Sequence, residues 1–99
     1  MGDVNNEYIP DYVSPPGETL EEALDERGMT QVGFARRIGM SLKHLKQILE
    51  GVAPITPETA IEFERALDIP ARFWNNRERR YRGFLARKAE GKRHGVMSV

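Results

Sequence analysis

From Gly17 to Glu90 apolar residues return at helical spacing, and capping residues divide the pattern into five runs. In the first, Leu20, Ala23, Leu24 and Arg27 stand at i, i+3, i+4 and i+7, the positions that share one helix face. Thr19 and Glu22 have capping-box spacing, and Gly28 can close the run near Arg27. Thr30 then caps a short second helix with Phe34, Ala35 and Ile38 turned inward and Gly39 after it. Gly33 stands where a capping box would put glutamate, so this second cap is expected to be the weaker one. Ser41 caps a third helix that buries Leu45, Ile48 and Leu49 and stops at Gly51. Thr56, Pro57 and Glu58 open a fourth, along which lie Ala60, Ile61, Phe63, Glu64 and Leu67. Pro70 opens a fifth, with Phe73 and Trp74 as core anchors, and helix-forming residues continue to Glu90 apart from Gly83.

No strand alternation, repeat or internal linker interrupts these runs, so the fold class is all-α, one five-helix domain over residues 17–90. Residues 1–16 contain Pro10, Pro15 and Pro16 and no helical period, which predicts an extended N-terminal arm. Tyr8, Ile9, Tyr12 and Val13 give that arm apolar groups to lay on the domain or on a partner. Residues 91–99, with two glycines and no period, read as a flexible tail.

The second and third helices are separated by a very short turn, and the residues around it are those a tight crossing demands. Ala35 is small enough for another backbone to approach. Gly39 can take positive φ, and Phe34, Ile38, Leu45 and Ile48 fill the wedge. This is helix-turn-helix spacing. With its apolar side committed inward, the third helix turns Lys43, Lys46 and Gln47 outward; on an arbitrary helix they would be a solvated face, and the neighbouring turn shifts the expectation to DNA contact.

Composition narrows the reading. The chain has 99 residues and no cysteine, which excludes a disulfide scaffold and thiolate metal sites. No apolar run reaches membrane-spanning length, and "MGDVNNEYIPDY" lacks a signal-peptide core, so a cytoplasmic protein with no membrane partner is expected. A net charge of zero conceals polarity. Through Ala35 there are eight acidic residues against Arg27, while the remainder carries fourteen basic against seven acidic. A chain so divided can turn a basic surface toward a polyanion.

Enzymatic chemistry finds no support, since there is no nucleophilic cysteine, glycine-rich phosphate loop or histidine-carboxylate cluster. Glu21 with Asp25 and Glu58 with Glu62 are the acidic pairs usual on an exposed helix face. His44 and His94 stand far apart and have no metal-ligand spacing, so neither a metal nor another cofactor is expected.

"MTQVGFARRIGMSLKHLKQILEG" resembles the lambda-repressor-like, or XRE-type, helix-turn-helix, and "PPGETLEEAL", "APITPETAIEFERALDIPARFW" and "RRYRGFLAR" are similar to the HigA-type antitoxins of toxin–antitoxin modules. The resemblance runs from about Ser14 to Glu90. It implies a lambda-repressor-like DNA-binding domain in which Gln31 anchors a phosphate and Leu42, Lys43, Lys46 and Gln47 face the major groove. Helix N-termini add Thr30 and Ser41 as phosphate sites, and Lys46, nearer the side of its helix, is expected on phosphate, leaving Leu42, Lys43 and Gln47 for bases. The side-chain chemistry agrees. Lysine donates to guanine, glutamine pairs with adenine, leucine meets a thymine methyl, and helix N-termini attract phosphate. Gly33 and His44 depart from the family pattern, so base preference does not transfer.

The resemblance also implies a homodimer. Tyr81, Phe84 and Leu85, at i, i+3 and i+4, would form the dimer stripe, with the arginines of the fifth helix around its rim. Two-fold pairing would set the recognition helices about 34 Å apart and call for a palindromic operator in double-stranded DNA. The function so implied is a transcriptional repressor, the antitoxin of an autoregulated module. Two alternatives are an interaction module that mainly neutralises a ribonuclease toxin and a stand-alone XRE regulator with no toxin.

Overall fold

A computed structural model describes residues 13–97, with side chains through Glu90. Its five helices are α1 Pro16–Glu26, α2 Gln31–Ile38, α3 Leu42–Leu49, α4 Pro57–Leu67 and α5 Ala71–Met97. Among the described residues there is no strand. The all-α, five-helix expectation holds. Residues 1–12 of the expected arm lie outside the described residues.

The start of α1 differs from the expected capping box. Pro16 is the first helical residue, Pro15 occupies the N-cap in extended conformation, and no side chain caps the helix. Thr19 therefore sits inside the first turn and cannot cap it. Proline supplies the reason, because its fixed φ suits the first helical position and its missing N–H is one the helix would leave unpaired anyway. The other three caps form as read: Thr30, Ser41 and Thr56 each accept a hydrogen bond from the backbone N–H three residues on. The second cap forms with Gly33 in place of the glutamate that would complete a capping box. A Cβ there would stand 3.0 Å from the Thr30 hydroxyl, so glycine leaves that oxygen room to take the Gly33 N–H.

One core joins all five helices. Leu20 and Leu24 from α1, Phe34 from α2, Leu45 and Ile48 from α3, Phe63 and Leu67 from α4 and Trp74 from α5 are all buried, with Ile55 added by the loop before α4. Phe34, Phe63 and Trp74 stack in sequence, with ring centroids 5.6 and 5.3 Å apart, within the range where tilted and edge-on aromatic pairs attract. Phe73 is not the second anchor that its neighbour suggested. It is 36% exposed and meets Trp74 edge-on from outside the core. Adjacent helical positions point about 100° apart, so Trp74 inward turns Phe73 toward the surface.

Long-range hydrogen bonds tie the helix ends together. Arg27, past the end of α1, donates to the carbonyls of Ala23 at 3.1 Å and Leu67 at 2.8 Å, joining the C-termini of α1 and α4. The Glu64 carboxylate accepts the first N–H of α5, from Ala71, at 3.0 Å. That helix continues through Met97, where the two glycines predicted a flexible tail from residue 91. Glycine lowers helix propensity by only about 1 kcal/mol, which a run of alanine, lysine and arginine offsets.

Candidate nucleic-acid interface

Three residues, Gly39 to Ser41, connect α2 to α3. Gly39 adopts φ 72° and ψ 32°, the left-handed conformation that glycine takes without the steric cost a Cβ brings. Its turn is closed by the Met40 N–H on the Ala35 carbonyl at 2.9 Å. Ala35 is buried where the two helices meet, and Phe34, Leu45 and Ile48 fix their crossing from inside, with Ile38 half-buried beside them. The wedge expected from the sequence is present.

With Leu45 and Ile48 fully buried, α3 turns its opposite side to solvent. Lys43 and Lys46 are exposed, and Gln47 is half-buried. Leu42 is also half-buried and packs at the edge of the core, which leaves part of its side chain for apolar contact. His44, read in the sequence as an ordinary polar residue, is exposed on the first turn of the same helix.

The N-termini of α2 and α3 have matching chemistry. Neither carries an acidic residue in its first turn, whereas α1 and α4 carry Glu18 and Glu58 there. Thr30 and Ser41, both exposed, use one hydroxyl lone pair each to cap Gly33 at 2.9 Å and His44 at 3.1 Å. Each hydroxyl hydrogen stays free to donate, and the backbone N–H groups of Gln31 and Val32, and of Leu42 and Lys43, precede the capped ones. An anion approaching either end meets donors and the positive end of a helix dipole, with no carboxylate in that first turn to oppose it.

The arginines of the fifth helix divide into two groups. Tyr81, Phe84 and Leu85 share one side of it and are half-buried, as are Arg82 and Gly83 between them. Arg77 and Arg82 are engaged within the chain. Arg77 donates to the Ser14 hydroxyl at 2.9 Å, and Arg82 donates to the carbonyls of Gly51 and Ala53 and to Glu78. Arg79, Arg80 and Arg87 are exposed, and Lys88 lies 5.6 Å from the centre of the Phe84 ring. Sequence reading missed the role of Arg82 because its backbone partners lie 29 and 31 residues away and leave no local signature.

Among the described residues, no His, Cys, Asp or Glu side chains group so as to hold a metal ion, and no helix is long and apolar enough to cross a membrane. A family model described as helix-turn-helix matches residues 20–74, from the middle of α1 to the first turn of α5. The chain belongs to this helix-turn-helix family.

Within it, the domain is of the XRE type and the lambda-repressor-like fold. An uncharacterized HTH-type transcriptional regulator of Escherichia coli (strain K12), YddM, is 31% identical over 61 residues, which are 62% of this chain and 65% of that protein. The match thus spans slightly less than two thirds of that curated relative. The Pseudomonas aeruginosa antitoxin HigA, solved with the higBA promoter, is 30% identical with a TM-score of 0.76, covering 83% of this chain and 90% of its own. A putative antidote protein of a plasmid maintenance system from Nostoc punctiforme shares the fold at a TM-score of 0.82 and 23% identity, over 87% of this chain and 94% of its own.

Proposed function

We propose that this helix-turn-helix protein is a sequence-specific repressor, the antitoxin of a two-gene module whose promoter it represses as a homodimer. The observation that carries the reading is the division of α3. Leu45 and Ile48 are sunk in the core while Lys43, Lys46 and part of Gln47 are presented outward, beside two helix N-termini whose first turns hold no acid. In this reading Lys43 and Gln47 contact base edges with Leu42 against a thymine methyl, and Thr30, Gln31, Ser41 and Lys46 hold phosphates. Tyr81, Phe84 and Leu85 pair two copies so that both α3 helices enter one face of a palindromic operator. The antitoxin HigA solved with its own promoter supports autoregulation. No catalytic step is assigned to the chain, and its place of action is the cytoplasm.

A ribonuclease toxin as second partner is favoured by one further observation. Glu21, Glu22, Asp25 and Glu26 are all exposed on α1, an acidic surface suited to a basic enzyme that binds RNA.

Fluorescence anisotropy against duplexes tiled from the protein's own upstream region tests the repressor reading, with a scrambled duplex and the Lys43→Ala/Gln47→Ala variant as controls. Salt-sensitive binding to one palindromic duplex, lost in the variant, is the expected result. Equal, weak binding to every duplex would overturn it.

A further inference from the structure

The C-terminal end of α3 is held by a residue of α5. The Arg82 guanidinium donates through its two terminal nitrogens to the carbonyl oxygens of Gly51, at 3.1 Å, and Ala53, at 3.2 Å, while its Nε donates to Oε2 of Glu78. Glu78 is 9% exposed and sits one turn before Arg82 on the same helix. The carboxylate fixes the plane of the guanidinium, and the planar fork then meets two carbonyls at once.

These carbonyls belong to the loop that ends the reading helix. Gly51 has φ 81°, and the N–H groups of Val52 and Ala53 both turn back onto the carbonyl of Gln47, at 2.9 and 3.0 Å. A continuous path of hydrogen bonds therefore runs from Arg82 through the peptide units of Gly51 to Ala53 into the backbone of Gln47. Within the loop Val52 is 69% exposed, while Ala53 packs against the edge of the core. Helix α3 is only eight residues long, so the loop that closes its last turn bears directly on where Gln47 points.

We infer that Arg82 is a positioning residue for DNA reading: it holds the Gly51–Ala53 loop against the end of α3 and thereby fixes Gln47, without touching DNA itself. This rests on the assignment of α3 as the reading helix. Tyr81 reinforces the geometry, because its hydroxyl would lie 3.2 Å from a Cβ built on Gly51 and its ring centre lies 5.2 Å from the Arg82 guanidinium carbon. The helix proposed to pair two copies thus also sets the reading helix of each copy.

Arg82→Met and Arg82→Lys separate positioning from a phosphate contact. Lysine keeps the charge but cannot donate to two carbonyls and a carboxylate from one plane. Backbone amide exchange in the free protein is the first readout. Both variants are expected to speed exchange at Val52 and Ala53 relative to the core amide of Phe63. The second is binding to the operator and to a scrambled duplex across a range of salt. Both variants should lose about tenfold in operator affinity, while scrambled-duplex affinity and the salt slope of operator binding stay at wild-type values. Unchanged exchange at Val52 and Ala53 overturns the inference. So does an equal loss on both duplexes with the salt slope reduced by about one, or full recovery by Arg82→Lys, since each marks a phosphate contact. If wild-type protein prefers no duplex, the reading of α3 has failed and this inference falls with it. The exchange arm then reports only whether Arg82 holds the loop, which keeps the two failures apart.

Discussion

Gly17 of α1 lies against the backbone of Leu49 in α3, so close that a Cβ on the glycine would stand 2.2 Å from the Leu49 carbonyl oxygen. The contact is backbone to backbone, so no side-chain rotation can relieve it. It seats the first turn of α1 on the last turn of α3, with Gly17 itself buried. Gly17→Ala should therefore push α1 off α3 and lower stability by about 2 kcal/mol or more, the range for overpacked sites. Thermal unfolding followed by circular dichroism should show a midpoint lower by roughly 10 °C, given the size of the domain. An unchanged midpoint would mean that the two helices can separate without loss.

Ser41 combines two roles that one substitution can divide. Its hydroxyl caps α3 by accepting the His44 N–H, and the same hydroxyl is proposed to donate to a phosphate. Aspartate is as good an N-cap as serine but brings a negative charge to the place where a phosphate would sit. Ser41→Asp is expected to hold or raise the thermal midpoint while weakening operator binding by about tenfold or more. Ser41→Ala should instead cost about 1 kcal/mol of stability through the lost cap. If Ser41→Asp binds the operator as wild type does, no phosphate approaches this helix end.

What the sequence disclosed and what it withheld divide by the range of the forces involved. Thr30, Ser41 and Thr56 could be recognised as caps because each bonds a backbone group three residues away. The inward residues Leu20, Phe34, Leu45, Phe63 and Trp74 declared themselves through helical period or hydrophobic size, and Gly39 through the turn it permits. Arg27, Arg77 and Arg82 did not, since an arginine that reaches distant carbonyls or a distant hydroxyl looks in sequence like any surface charge. Phe73 was misjudged for a related reason. Apolar character records what a residue prefers, and only the rotation of α5 around Trp74 decides which of two adjacent aromatics is buried. Lys43, Lys46 and Gln47 were legible as an outward face, but the bases they would meet are not written in the chain.

Lys46 and Gln47 are neighbours on α3 with different expected roles, and binding across salt concentrations distinguishes them. A lysine on phosphate contributes through counterion release. Lys46→Ala should therefore weaken every duplex alike and reduce the slope of log affinity against log salt by about one. Gln47→Ala should leave that slope nearly unchanged and cost about 1–3 kcal/mol on the operator alone, because a base contact discriminates where a phosphate contact does not. Anisotropy titrations of the two variants on operator and scrambled DNA provide the comparison. Identical behaviour of the two would show that α3 does not divide its work between backbone and bases.

Phe84 offers the cleanest test of pairing, because the other stripe residue with a described contact, Tyr81, also touches Gly51 and would confound dimerisation with the seating of α3. Phe84 is half-buried on α5 and takes no part in the buried core, so a charge there opposes a second copy more than it opposes folding. Phe84→Glu is expected to sediment as a folded monomer at concentrations where wild type is a dimer, with its thermal midpoint lowered only by the lost association. A monomer places one α3 on DNA instead of two. Operator affinity should then fall by a large factor, on the order of 10²-fold or more, because each half-site is bound without the effective concentration that linkage supplies. Binding to an isolated half-site duplex should be little changed, since Lys43, Lys46 and Gln47 are untouched. Were Phe84→Glu to remain dimeric with full operator affinity, the pairing surface would have to lie elsewhere than the Tyr81, Phe84 and Leu85 stripe.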